Sequence, residues 1–164
     1  MSRNAKIMSI ASEEALNSRQ TFRHGAVITG PGSKIISVGH NKGNRTKILK
    51  KVFTCTHAEM DALNKFVSIQ KQKYGKKYWQ HPGKYSMWVT RLENSKSGEI
   101  KNTFSKPCYF CSKLMEEYGI KRVYYTLADS SIVCTKINDL NSTHKSGCQL
   151  NSENVDTNIK LRLF

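Results

Sequence analysis

The fold class that this sequence predicts is an α/β three-layer sandwich, with a mixed central sheet and helices on both faces. Two observations predict it. Short β-branched and aromatic runs alternate with stretches of helical apolar periodicity, in the order helix, strand, strand, helix, strand, helix, strand. That alternation buries apolar faces by layering helices on a sheet. The length of 164 residues matches a single domain with a real hydrophobic core.

Residues 5–18 read as a first helix, with Ala5, Met8, Ala11 and Ala15 on one side and Glu13 and Glu14 off it. Gly25 to Thr29 and Lys34 to Val38 are β-rich runs joined by Gly30-Pro31-Gly32-Ser33, a hairpin with turn residues in place. A second helix is expected from about Thr56-His57 to Ile69, with Met60, Leu63 and Val67 along one face. Thr56 is a candidate N-cap for it, with Glu59 three residues on as in a capping box. Ser86 to Thr90 is the next strand. Tyr109 to Tyr118 has Cys111, Leu114, Met115 and Tyr118 at helical spacing, Gly119 stops it, and Arg122 to Thr126 resumes as a strand. From about Asp129 the signal fades, and residues 138–158 are mostly Asn, Ser, Thr and Asp. The expected organisation is a domain over residues 1–128 and a partly disordered extension over 129–164, whose Ile159, Leu161 and Leu163 alternate as a docking strand would.

Composition narrows the function classes. No apolar run approaches a membrane span, and Met1-Ser2-Arg3-Asn4 lacks the apolar segment of a secretory signal, so a soluble intracellular protein is expected. The five Cys are an odd number, unlike the even disulfide frameworks of secreted domains, and reduced thiols are expected. The net charge of +15 attracts phosphate-bearing partners. Lys outnumbers Arg 20 to 7, however, a bias that AT-rich coding DNA also produces.

The residues that carry chemistry are His57-Ala58-Glu59 and, about fifty residues on, Pro107-Cys108-Tyr109-Phe110-Cys111. One His and a Cys-x-x-Cys supply three zinc ligands, leaving the fourth tetrahedral position open for water. Cys108 and Cys111, three apart at a helix start, turn their sulfurs the same way, and helix N-termini favour thiolates. Glu59, beside that water without binding the metal, suits general acid/base work: it accepts the water proton and returns it to a leaving amine. The alternatives are a capping role for Glu59 and a closed structural zinc site or redox dithiol for the Cys pair. A closed site needs a fourth ligand, for which Cys55 is the nearest candidate; otherwise Cys55 reads as a buried free thiol. Cys134 and Cys148 lack ligand spacing. His24, His40, His81 and His144 lack a partner motif, although His24 and His40 flank the hairpin that borders the site.

H-x-E followed by P-C-x-x-C is the zinc-deaminase signature. Over about residues 5–127 the chain resembles the cytidine/deoxycytidylate deaminase superfamily. The likeness is carried by Arg23-His24-Gly25-Ala26-Val27-Ile28, Val38-Gly39-His40-Asn41, His57 to Leu63, Pro107-Cys108-x-x-Cys111 and Gly119 to Val123. It implies a cytidine deaminase-like fold, a Zn2+ cofactor, a sugar contact from Asn41 and a pyrimidine contact from the backbone at Ala58. This chain departs from the family at Lys106, in an insertion over about residues 70–85, and in a longer approach from Glu93 to Lys106.

Two basic clusters flank the motif. Lys42, Arg45, Lys47, Lys50 and Lys51 form one; Lys71 to Tyr85 interleaves five lysines with Tyr74, Tyr78, Trp79 and Tyr85. Lysines among aromatics suit single-stranded nucleic acid, and equally a solvated loop with its rings tucked onto the domain, or a few lysines holding one nucleotide phosphate. The expected activity is zinc-dependent hydrolytic deamination of a cytosine-type base on a free CMP- or dCMP-type nucleotide. A base within RNA or single-stranded DNA is the rival substrate, and an inactive nucleic-acid-binding protein on the same scaffold is the rival class. Whether the protein is a homo-oligomer stays open.

Overall fold

The computed structural model describes residues 1–146 apart from 45, 49, 50, 81 and 82. Helix α1 (Arg3–Ala15) is capped by Ser2, whose Oγ accepts the Ala5 N–H at 3.2 Å. Strands β1 (Arg23–Thr29) and β2 (Ile35–His40) form the expected hairpin around a 3-10 turn at Pro31–Ser33. A small hairpin, β3 (Thr46–Ile48) and β4 (Lys51–Phe53), leads to α2 (Ala58–Tyr74) and a 3-10 segment over Gly75–Gln80. Then come β5 (Tyr85–Asn94), β6 (Ile100–Thr103), α3 (Tyr109–Glu117), β7 (Ile120–Thr126) and β8 (Ile132–Lys136).

The sheet order is β2-β1-β5-β7-β8, with β6 paired to the end of β5. Only β5 and β7 pair in parallel, which makes the sheet mixed. Along one edge of β5, β7 covers Tyr85 to Val89 and β6 covers Arg91 to Asn94. On one face α1 packs Ile7, Met8 and Ala11 against Val27 and Trp88. Trp88 stacks on Tyr124 with ring centroids 3.7 Å apart and donates its indole N–H to Thr29 Oγ1. On the other face α2 and α3 bury Met60, Leu63, Phe66, Leu114 and Met115 against Ala26, Ile28, Met87, Val89 and Val123. These are the three expected layers.

Several expectations need correction. The second helix runs five residues past Ile69, so the expected insertion begins as the last turn of α2 and continues in the 3-10 segment Gly75–Gln80. Thr56 is not its N-cap: Thr56 exchanges both backbone hydrogen bonds with Lys42, and His57 takes the N-cap position. Residues 93–106 form a β-hairpin closed by Ser95 N–H to Glu99 O at 2.7 Å. The extension expected from residue 129 contributes the edge strand β8, a short run that pairs with a single neighbour and buries little, hence its weak signal. Ile159, Leu161 and Leu163 lie outside the described residues.

Two glycines set how closely the helices approach. A Cβ on Gly25 would lie 1.9 Å from Ala11 O of α1; one on Gly39 would lie 2.4 Å from Ala62 N and 2.6 Å from Ala58 O of α2. Backbone cannot yield as a flexible side chain does, so α2 stands where it does only because residue 39 has no side chain. Gly39→Ala should therefore destabilise the protein by about 1–3 kcal/mol, as overpacking does, measured from the denaturant midpoint.

Candidate metal centre and active site

Two helix N-termini meet at this site. His57 is the N-cap of α2 and Cys108 the N-cap of α3, with Cys111 in the first turn beyond it. The His57 side chain makes no capping bond to α2, and the Cys108 sulfur turns to Cys111 and His57. His57 Nδ1 lies 3.6 Å from Cys108 Sγ and 3.5 Å from Cys111 Sγ, and the three donor atoms lie within 4.8 Å of one another. Both sulfurs are buried and His57 is half-buried.

The donor set fits zinc. Bonds of about 2.3 Å to sulfur and about 2.0–2.1 Å to nitrogen, at the tetrahedral angle, separate the nitrogen from each sulfur by about 3.6 Å. That is the spacing found. Cys55 does not supply a fourth thiolate, because it is disulfide-bonded. This also corrects the expectation of uniformly reduced thiols and of a free Cys55. Cys134 is a free, exposed thiol, and Cys148 and His81 lie outside the described residues.

The titratable groups are perturbed together. The hydrogen bond from Cys111 holds the Cys108 thiol down at about 4, helped by His57 against the effect of burial. The Cys111 thiol, donating that bond and fully buried, is pushed well up. Burial works to lower the His57 pKa, but the bond to Cys108 and the charges of Glu59 and Cys108 outweigh it and leave it raised. The pocket thus favours a thiolate at Cys108, the anionic form that a metal ligand needs.

Glu59 is 5% exposed, and burial raises its carboxyl to about 7, with His57 pulling the other way. It is the second residue of α2, one short of the position a capping box uses, so capping does not explain it. A carboxyl poised near neutrality beside metal donors can both take and return a proton. Ala58 is the first residue of α2, where helix amides lack internal partners.

Asn41 is tied to the segment around His24. Its Oδ1 accepts the His24 N–H at 2.8 Å and its Nδ2 donates to Phe22 O at 2.7 Å, which leaves one N–H and one lone pair in reserve. Burial lowers His24 to about 4, with Arg91 and the charge of His57 adding to it against Cys108, so His24 is neutral at physiological pH. Arg91 is opposite His24 across the β1–β5 ladder, its guanidinium carbon 4.4 Å from the exposed Phe22 ring centroid. Its Nε is buried with no hydrogen-bond partner, and it forms no ion pair among the described residues. His40 pairs with Glu14 at 2.7 Å and serves the fold.

Hydroxyls that sequence reading passed over hold the segment entering Cys108. Ser105 Oγ donates to Val89 O at 2.8 Å and accepts the Thr126 N–H at 2.9 Å, and Thr126 Oγ1 donates to Thr103 O. Nothing in a lone Ser or Thr signals this before the strands are paired. Lys106 is half-buried and has no ion pair among the described residues.

The basic clusters are less open than their sequence suggests. Lys42 is paired with Asp61 at 3.0 Å, an aspartate that Lys65 also holds at 2.9 Å. Lys47 is exposed, whereas Arg45, Lys50, the Lys51 side chain and the Trp79 side chain lie outside what is described. Tyr85 meets Phe66 edge-on at 4.8 Å and its hydroxyl accepts from Gln70, and Tyr78 packs against the main core. These rings are tucked onto the domain.

Residues 1–127 match the family described as "Cytidine and deoxycytidylate deaminase zinc-binding region". Among solved structures, the chain is similar to the cytidine deaminase from Bacillus anthracis, at 14% identity and a TM-score of 0.51, over 94% of this chain and 97% of that one. It is also similar to the dCMP deaminase from the cyanophage S-TIM5, at 23% identity and a TM-score of 0.48, over 77% and 86%. No match was found among curated proteins. No described helix is long and apolar enough to cross a membrane.

Metal should be inseparable from stability here, since binding is coupled to folding. Cys108→Ala and Cys111→Ala should each lose most bound zinc and unfold at a lower temperature, read by metal analysis alongside thermal melting. Full zinc occupancy in both variants would overturn the ligand set.

Proposed function

The chain belongs to the cytidine and deoxycytidylate deaminase zinc-binding family, and on that premise we propose that it hydrolyses the exocyclic amine of a cytosine-type base on a free nucleotide. His57, Cys108 and Cys111 would hold the zinc, which would supply Lewis acidity and bring the pKa of a water at the site to about 7. Glu59 would take a proton from the attacking water and return it to the leaving nitrogen. The C4–N bond breaks, a carbonyl forms at C4, and ammonia and the uracil form leave without any redox change. The observation that carries this reading is Glu59: a closed structural metal site has no use for a buried carboxyl poised near neutrality two residues from its His ligand.

The substrate reading rests on Ala58, Asn41 and Arg91. The Ala58 amide faces the base, and Asn41, with its reserve N–H and lone pair, contacts the sugar. Arg91 supports an anionic group on that sugar: a guanidinium with no ion pair among the described residues suits a single phosphate monoester. The polynucleotide reading loses support, because Tyr78 and Tyr85 pack against the main core rather than standing out as stacking platforms.

Three outcomes follow. Glu59→Gln should keep zinc and fold yet lose turnover by at least about a hundredfold; loss of zinc would instead make Glu59 a ligand. Arg91→Ala should raise KM for dCMP and CMP by about tenfold or more, the scale of a charge-assisted hydrogen bond, while leaving deoxycytidine and cytidine nearly unchanged. KM should rise only gently with salt, where a polynucleotide enzyme weakens log-linearly. Deamination of oligonucleotides with no activity on any free nucleotide would overturn the substrate reading.

A further inference from the structure

The family match ends at residue 127, yet residues well past it reach the metal donors. Leu140 is fully buried in the same apolar cluster as Cys108 and Cys111. Ser142 Oγ donates to Pro107 O at 2.7 Å, and His144 O accepts the Tyr109 N–H at 2.8 Å. That N–H is one of the α3 amides with no partner inside the helix. Lys145 Nζ lies 5.5 Å and 5.9 Å from the ring centroids of Tyr109 and Phe110. Next in the chain, Ser146 Oγ lies 3.2 Å from His57 Nε2. The segment from Leu140 to Ser146 is therefore fixed step by step along Pro107 to Phe110, the loop bearing Cys108, and ends on the ligand of the other helix.

The chemistry of a histidine ligand gives that last contact a purpose. An imidazole that offers Nδ1 to a metal carries its proton on Nε2, and the partner of that proton sets both tautomer and ring orientation. His57 Nδ1 faces both sulfurs, and Nε2 faces the Ser146 hydroxyl, which can accept. We propose that the segment Leu140–Ser146 is a built part of the metal centre, with Ser146 the positioning residue that holds His57 in the Nε2–H form. The strap contributes no ligand. It orients one ligand, through Ser146, and braces the loop that carries another.

This role rests on the zinc ligand set proposed above, and zinc affinity separates the two. Competition with a chromophoric chelator should show Ser146→Ala binding zinc ~10–100-fold more weakly, the usual effect of losing such a partner. Ser146→Thr, which keeps the hydroxyl, should return affinity to within about threefold of wild type, a small part of that loss. Ser146→Ala should keep the wild-type fold by circular dichroism, and nitrogen NMR of the zinc-loaded proteins should show a His57 Nε2–H that exchanges with solvent faster in the variant than in wild type. Equal zinc affinity in wild type and Ser146→Ala, or a loss that Ser146→Thr fails to restore, would overturn the role. A wild-type protein that binds no zinc would overturn the ligand set and this role with it.

Discussion

Strands β2, β5 and β7 run in the same direction, and the site depends on that. β2 and β5 both pair antiparallel with β1, and β5 pairs parallel with β7. A helix leaving the carboxyl end of one such strand must cross back before the next can start. Hence α2, which packs on β2 and ends before β5, and α3, which lies between β5 and β7, both begin at the carboxyl edge of the sheet. Their N-termini converge there, as ligand sites in open α/β sheets do. His57, Glu59, Cys108 and Cys111 are side chains of those two termini, and each terminus contributes partial positive charge that favours anionic donors.

Burial gives the converged groups their character. Water is kept from Cys111 and Glu59, so each shares or withholds its proton according to its neighbour rather than the solvent. Low dielectric also raises the stakes of orientation, since a misplaced donor is left unsatisfied. The Ser105–Thr126 hydroxyl network anchors the approach to Cys108, and Gly39 fixes the height of α2 above β2. Position at the site is thus set by main-chain contacts one layer away, which loops alone could not hold.

The surface charge of +15 says less than the placement of a few cations. Lys42 and Lys65 are occupied by Asp61, which also accepts the His40 N–H and so ties the end of β2 to α2. Arg91 stands apart because its partner positions hold a neutral His24 and an aromatic ring.

The amino-acid sequence by itself determined the order of α1, β1, β2, α2, β5, α3 and β7 and singled out three candidate metal donors, because apolar periodicity is local and His and Cys-x-x-Cys keep their chemistry in any context; the short strands β3, β4 and β6 carried no such signal. It also offered Glu59 a proton-transfer role beside the capping one, since the Cys pair needed a companion. Tertiary structure alone decided the rest. β8 is stabilised by pairing with β7, and Thr56 is drawn from capping into a bridge with Lys42; both are contacts with distant residues that no local pattern encodes. The rings of Tyr78 and Tyr85 face the core because apolar surface there accepts them, which composition cannot report. Arg91, Ser105 and Ser146 are ordinary residues in sequence. They gain meaning only when folding brings His24, Thr126 and His57 beside them, for a hydrogen bond or a charge acts over a few ångströms of space, whatever the separation along the chain.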